Sequence, residues 1–281
     1  MADYTSHVAD ETPRPAQTAS QPAADGAAGA GQKRVPALTF FFPAHNEADN
    51  IEALVQEALT ALPELADEFE IICVDDGSRD ATPALADDLA RQHSTVRVVH
   101  HPQNRGYGSA LRSGFGAARY PLICFLDGDR QFHVADLRRL VDRLAQPDAP
   151  DAVVGYRLRR ADPALRLLYA RAYRLALRLL YGLRVRDPDC ACKLFRRSVL
   201  EDIRLESGGA FMSAELLIKL QQRGRRIVEV GVPHYPRTAG SASGANPRVV
   251  FRAVRDFWRL RLRLWFRWKE ALEQGQPVLE A

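Results

Sequence analysis

The sequence predicts an α/β protein built on a mostly parallel sheet with helices on both faces. Two observations carry that prediction. From "ALTFFFP" onward, short apolar runs alternate with helical patterns, and strands that alternate with helices make parallel crossover units. With 46% hydrophobic and 26% charged residues among 281, the chain also has enough apolar material to bury a substantial core.

Residues 1 to 34 are dominated by Ala, Gly, Pro, Ser, Thr and Gln, a composition that cannot repay the entropy of ordering, so a disordered low-complexity tail is expected there. The domain that follows, 35 to 245, opens with a strand near 37 to 42 and continues with strands near 69 to 74, 96 to 100, 121 to 126 and 151 to 155. Helices are expected near 47 to 61, 82 to 92, 107 to 119 and 134 to 145, the second with Thr82 as N-cap and Pro83 in its first turn. Residues 246 to 281 read as a separate basic amphipathic helix. No run approaches the roughly 20 apolar residues needed to cross a bilayer, and the N-terminus lacks the pattern of a secretion signal. Cys73, Cys124, Cys190 and Cys192 show no CxxC spacing, which favours reduced thiols in a cytoplasmic setting over a zinc site.

In open parallel sheets ligands bind beyond the carboxyl ends of the strands. The first four strands end in "PAHNEADN", "VDDGSRD", "HHPQNRGYG" and "LDGDRQF", all polar and three carrying carboxylates. If the last of these stays extended, Asp127, Asp129 and Gln131 share one face, and Gly128 lets a ligand or backbone come close. Like charges so near one another repel unless a cation or proton intervenes, and an oxygen-only donor set suits Mg²⁺ or Mn²⁺. A solvated Asp-Gly turn is the alternative. Asp75 and Asp76 are placed to accept hydrogen bonds from a nucleobase or ribose, or else to cap the next helix. The dinucleotide fingerprint fails: Gly106 and Gly108 are followed by Leu111 where a third glycine belongs, and no GxxxxGK[ST] loop is present.

Taken in order and spacing, "PAHNE", "VDDGSRD", "NRGYGSALRSGF", "LDGDRQF" and "GYR" at 155 to 157 resemble the inverting family 2 glycosyltransferases of GT-A fold, a Rossmann-like architecture. The likeness is strongest to the dolichol-phosphate mannose synthase and polyprenyl-phosphate glycosyltransferase branch, over roughly 37 to 245. The resemblance implies inverting transfer of a single mannose- or glucose-type sugar from a nucleotide-sugar, of GDP-mannose or UDP-glucose type, to a polyprenyl or dolichyl phosphate. It implies that Pro43, Ala44, Glu47, Asp75, Asp76, Gly106 and Asp127 frame the nucleotide, and that Asp127, Asp129 and Gln131 hold Mg²⁺ or Mn²⁺ on the donor diphosphate. Arg157 and Arg171 would receive the acceptor phosphate, joined by Arg174 on the same helical face, and Asp129, Arg157 and Arg237 would act on the reacting groups. Asp187 matches the acid that opens the family's next motif. The sequence departs from the family at Ala191, Cys192 and Lys193, where a Gly-Phe-Arg-like run is usual, which leaves the role of Lys193 open. Glu215 reads as a charge on a helix surface, with a position facing the sugar or acceptor as the alternative.

The last segment places Phe251, Val254, Trp258, Leu262 and Trp265 at three- and four-residue steps beside Arg248, Arg252, Arg255, Arg259, Arg263 and Arg267. Apolar rings bordered by arginines suit a helix lying on anionic lipid, where each basic residue contributes about 1 kcal/mol. The expectation is therefore a peripheral protein on the inner face of the cell membrane. Packing of this helix on the domain is the alternative. The acidic pocket speaks against nucleic acid as a partner. A glycosyltransferase acting on another acceptor, a nucleotide-sugar nucleotidyltransferase and a catalytically silent nucleotide-sugar binder are the rival functions.

Overall fold

The computed structural model describes residues 33–158, 164–237, 239 and 247–273; of the tail expected over 1 to 34, residues 1 to 32 lie outside them. In chain order the elements are β1 (Val35–Ala44), α1 (Ala48–Leu65), β2 (Ala66–Asp75), α2 (Thr82–Gln92), β3 (Val96–His100), α3 (Tyr107–Ala117), β4 (Leu122–Phe125) and α4 (Leu137–Leu144). Then come β5 (Ala152–Arg157), α5 (Ala164–Tyr181), β6 (Lys193–Arg196), α6 (Ser198–Glu201), α7 (Met212–Gln222), β7 (Ile227–Val232) and α8 (Pro247–Glu273).

The strands form one sheet in the order β3-β2-β1-β4-β6-β5-β7. β1 pairs in parallel with β2 and β4, β2 with β3, and β5 with β7. β6 runs antiparallel between β4 and β5. The run of apolar residues in β1 marks a strand covered on both faces: Leu38, Phe40, Phe41 and Phe42 are fully buried. The Phe41 ring stacks on Phe125 of β4 with centroids 5.3 Å apart and meets Phe115 of α3 edge-on at 5.0 Å. Across β6, Phe195 continues the stack from Phe125 at 6.4 Å.

Five strands were expected from the sequence, and β6 and β7 are additional. β6 is only four residues long and opens on a lysine, so no run of apolar residues announces it. β7, an edge strand, is half-buried and interrupted by Glu229 and Gly231. At α2 the expected N-cap is displaced: Thr82 already lies within the helix, its amide donates to Asp80 Oδ1 at 3.0 Å, and its hydroxyl accepts the Glu47 amide at 2.9 Å. Thr82 thus ties the start of α1 to the start of α2.

α8 has two faces. Phe257 and Leu260 are buried, with the Phe257 ring edge-on to Tyr181 at 5.1 Å and to Phe211 at 5.6 Å, and the Tyr181 hydroxyl donates to the Phe257 carbonyl. On the other side Phe251, Val254, Trp258, Leu262 and Trp265 stand exposed, Phe251 at 73%. Packing on the domain, the alternative reading of this segment, therefore describes its inner face, and the apolar residues picked out by spacing lie on the outer one. Among the described residues no helix is long and apolar enough to cross a membrane.

Candidate active site

The acidic stretch after β4 is a turn and not an extended strand. β4 ends at Phe125, Arg130 adopts a φ of 56°, and the Gln131 amide donates to Asp129 Oδ1 at 3.1 Å. The alternation argument for residues 127, 129 and 131 therefore does not describe this loop. Gly128 is required here by close approach, since a Cβ would fall 2.7 Å from the Pro43 carbonyl at the end of β1. Gln131 turns to the segment after β7: its Nε2 donates to the Tyr235 carbonyl at 3.3 Å and its carbonyl accepts the Tyr235 amide at 2.9 Å.

Asp127 and Asp129 remain electrostatic neighbours. Burial pushes the Asp127 carboxyl up to about 6, the charge of Asp129 adds to the rise, and Tyr107, Lys193 and Arg157 pull the other way. The Tyr107 hydroxyl donates to Asp127 Oδ1 at 2.9 Å. Arg237 places Nη2 2.7 Å from Asp129 Oδ2 and Nη1 3.6 Å from Glu47 Oε1. Burial raises the Glu47 carboxyl, and its contacts with Asn50 and Arg237 only moderate that rise.

At the end of β2, both predicted acids are buried and committed to protein partners. Asp75 Oδ1 accepts the Ser78 amide at 2.9 Å, and Oδ2 meets His100 Nδ1 at 2.9 Å. Burial alone would raise this carboxyl, and these hydrogen bonds reverse the effect and leave it below the usual range. Asp76 accepts the amides of Arg105 at 2.9 Å and Gly106 at 2.8 Å and meets His101 Nδ1 at 2.6 Å. Gly106 sits at a φ of 95°, which a residue with a side chain rarely adopts. Ala44 closes β1 beside Asp75, and its carbonyl accepts the Asp76 amide at 2.9 Å. The two histidines escaped the sequence reading; their doublet at the end of β3, opposite the Asp75–Asp76 doublet, was the available signal.

The arginines do converge. Arg157, Arg171 and Arg174 line one cavity of about 270 Å³ together with Tyr156, Arg186 and Asp187. Arg157 is clamped by Asp187 through Nε at 2.6 Å and Nη2 at 2.8 Å. Burial works against the Arg157 cation, and Asp187 more than compensates, so its pKa rises. Arg174 donates to the Arg186 carbonyl at 3.0 Å, and the Arg186 guanidinium lies over the Tyr156 ring at 4.7 Å. Arg186 was missed because it stands in no helical repeat; the fold delivers it from the loop before β6.

Two further charges are structural. Lys193 is fully buried and donates to the Pro188 carbonyl at 3.1 Å, to the Cys190 carbonyl and to Ser213 Oγ at 2.7 Å, which fixes the loop that carries Asp187. Burial lowers its pKa. Glu215, expected on a helix surface, is buried instead: it accepts the amides of Glu206 at 2.9 Å and Ser207 at 2.8 Å and pairs with Lys219 at 2.6 Å. The apolar run around it signals a helix buried nearly all round, which a reading of Glu215 alone overlooks. The four cysteines are free and buried. Gly240 and Ser241, which the family resemblance carries over together with Arg237, lie outside the described residues.

Among the described residues no group of three or more His, Cys, Asp or Glu is arranged to hold a metal. A two-carboxylate arrangement does fit Mg²⁺ or Mn²⁺, which bind through one or two carboxylates and take their remaining oxygens from water and phosphate. Asp127 and Asp129 would supply those carboxylates; burial first, and the charge of Asp129 second, raise the Asp127 pKa.

An open, mostly parallel sheet with acids gathered past its carboxyl edge, one antiparallel strand inside it, and an arginine cavity alongside defines an α/β domain of the GT-A type. Solved structures agree: glucosyl-3-phosphoglycerate synthase from Mycobacterium tuberculosis bound to phosphoglyceric acid superposes with a TM-score of 0.59 at 25% identity over 73% of each chain. The same synthase with uridine diphosphate gives 0.62 at 23% identity over 78% of each chain, which shows the fold. The chain belongs to glycosyl transferase family 2, whose profile matches residues 39–204.

Among its relatives, glycosyltransferase AglD of Haloferax volcanii is 34% identical over 258 residues, covering 88% of this chain and 40% of that protein. Undecaprenyl-phosphate 4-deoxy-4-formamido-L-arabinose transferase of Pseudomonas aeruginosa is 31% identical over 216 residues, 76% of this chain and 62% of that one. Polyprenol monophosphomannose synthase of Mycolicibacterium smegmatis is 32% identical over 236 residues, 79% of this chain and 86% of that one. The chain thus spans about half the length of the first two relatives and most of the third.

Proposed function

We propose that this protein transfers one sugar, of mannose or glucose type, with inversion from a nucleotide-sugar to a polyprenyl phosphate. The observation that carries the reading is an adjacency of opposite charges: Asp127, two residues from Asp129, feels the charge of Arg157, which belongs to the cavity completed by Arg171, Arg174 and Arg186. Acids beside a cavity of arginines suit a reaction between two phosphate-bearing molecules. The names of the relatives, two of them polyprenyl-phosphate transferases, support the same acceptor class.

The acceptor phosphate has a second pKa of about 6 and is already largely a dianion near neutral pH, so no general base is needed. Arg171, Arg174 and Arg186 hold it through planar, bidentate contacts suited to phosphate. One of its oxygens attacks the anomeric carbon from the face opposite the donor diphosphate. The bond from that carbon to the diphosphate oxygen breaks, and the nucleoside diphosphate leaves with the electron pair. Arg237 moves from Asp129 onto the leaving diphosphate and offsets its growing charge. Asp127 and Asp129 would hold Mg²⁺ or Mn²⁺, which when bound supplies Lewis-acid stabilisation of that same charge. Asp75 and Asp76 keep the nucleotide-side loops in shape through His100, His101, Arg105 and Gly106.

The outward face of α8 fits a peripheral attachment to anionic lipid, which brings the cavity to a membrane-borne acceptor. We place the protein on the cytoplasmic side, where nucleotide-sugars are available.

The test is product analysis by mass spectrometry with a panel of GDP- and UDP-sugars, Mn²⁺ and a short polyprenyl phosphate. Glycosylated lipid phosphate and free nucleoside diphosphate are expected. Release of pyrophosphate would replace this reading with a nucleotidyltransferase, and binding without turnover would replace it with a silent binder.

A further inference from the structure

Tyr107 is assigned no role by the reaction above, yet its surroundings are built with care. It opens α3 immediately after the Gly106 turn, and its hydroxyl donates to Asp127 Oδ1 at 2.9 Å. The turn that aims it is held from both sides. Asp76 grips the amides of Arg105 at 2.9 Å and Gly106 at 2.8 Å, while the Gly108 amide donates to the Gly208 carbonyl at 3.1 Å. Asp76 also meets His101, whose Nε2 lies 2.8 Å from Ser113 Oγ further along α3, so one carboxylate and one imidazole fix both the first turn and the middle of this helix. Asp76 is therefore spent entirely on protein groups.

We propose that Tyr107 is a positioning residue for the cation site: its hydroxyl occupies Asp127 Oδ1 and leaves Oδ2 to face the cation, with Asp76 acting through Tyr107. The inference rests on the reading that Asp127 and Asp129 hold the cation. A small, octahedral cation favours one oxygen from each carboxylate over a bidentate grip, and its remaining positions then stay open for diphosphate oxygens. Outer partners that orient a ligand in this way are typically worth about 10- to 100-fold in metal affinity. A phenylalanine at this position would keep the ring and lose the donor.

The experiment is calorimetry of Mn²⁺ binding to the whole protein, alone and with UDP or GDP, for wild type, Tyr107→Phe, Asp127→Asn and the double variant. Tyr107→Phe is expected to weaken Mn²⁺ binding about 10- to 100-fold while the thermal midpoint and metal-free nucleotide binding stay at wild-type values. In the Asp127→Asn background the same change should have no further effect on Mn²⁺. Asp76→Asn, which gives up one of the turn's hydrogen bonds, approaches the site from the other end and should weaken Mn²⁺ in the same direction. Wild-type Mn²⁺ affinity in Tyr107→Phe overturns the inference and leaves the metal site standing, as does an equal loss with and without Asp127. Absence of Mn²⁺ uptake by wild type overturns the metal site and this inference together.

Discussion

Arg237 bridges Glu47 and Asp129, with Nη2 2.7 Å from Asp129 Oδ2 and Nη1 3.6 Å from Glu47 Oε1. The guanidinium therefore occupies the carboxylate that the proposed cation needs. A cation and an arginine cannot both neutralise Asp129 fully, so donor binding has to move Arg237. Arg237→Ala should accordingly tighten Mn²⁺ binding several-fold in the absence of nucleotide. It should also lower kcat on the order of 100-fold, because the leaving diphosphate loses a cationic partner. Calorimetry and steady-state kinetics on one preparation check both directions. Parallel losses in both would mean that Arg237 only holds the loop.

The Arg157–Asp187 pair is bidentate, and its side chains are 14% and 8% exposed. Removing one partner leaves a largely buried charge uncompensated, a change that typically costs about 3 to 5 kcal/mol. Asp187→Ala should thus lower the unfolding free energy measured in urea by that order, with m unchanged. Arg171→Gln, on the exposed side of the same cavity, should leave that free energy within about 0.5 kcal/mol of wild type. Its expected effect is a raised KM for the lipid phosphate. Equal stability in the two variants would remove the distinction between clamp and ligand.

How much of this was legible in the sequence depends on the range of the signal. β1, β2 and β4 announce themselves because a strand covered on both faces is apolar throughout, and the arginines of α5 share a face through local helical geometry. β6 carries no such pattern, since its buried Lys193 is satisfied by the carbonyls of Pro188 and Cys190 and by Ser213, partners that only the fold supplies. Asp127 and Asp129 were singled out by spacing, but the geometry assumed for them was wrong. The left-handed Arg130 and the closeness of Gly128 to the Pro43 carbonyl arise from contact between two strand ends that are distant in sequence. Arg186 and Tyr107 went unremarked because each acquires its meaning from a partner on another element.

The Asp127 carboxyl, raised from 3.8 to about 6, gives the protein a signature in pH. Between those values the folded protein holds a proton that the unfolded chain has lost. Stability of the metal-free protein should therefore fall as pH rises from about 4 to 6, the sign required when the native state binds more protons. Metal requires the ionised form, so Mn²⁺ affinity should climb through the same window and level off above it, with protons released on binding. Calorimetry in buffers of different ionisation enthalpy counts those protons. A pH-independent affinity between about 5 and 7 would contradict the assignment of Asp127 to the cation.

Attachment to lipid is tested on α8 with care for its inner face. Deleting the helix would uncover the rings of Tyr181 and Phe211, which pack on Phe257, and would confuse loss of binding with loss of fold. Phe251 and Leu262 are 73% and 52% exposed and stand outside the ring cluster of Tyr181, Phe211, Phe257 and Trp258, so Phe251→Glu with Leu262→Glu alters the outer surface. The pair should abolish flotation with phosphatidylglycerol vesicles and leave the urea midpoint near wild type. In the unaltered protein, flotation should weaken between about 0.05 and 0.5 M salt, because the arginine contribution is screened while the apolar one is not. Activity toward a short, water-dispersed polyprenyl phosphate should survive the double substitution, and activity toward a long-chain acceptor in vesicles should fall with flotation. Undiminished vesicle binding would mean that some other surface meets the lipid and that the exposed stripe on α8 belongs to a protein partner.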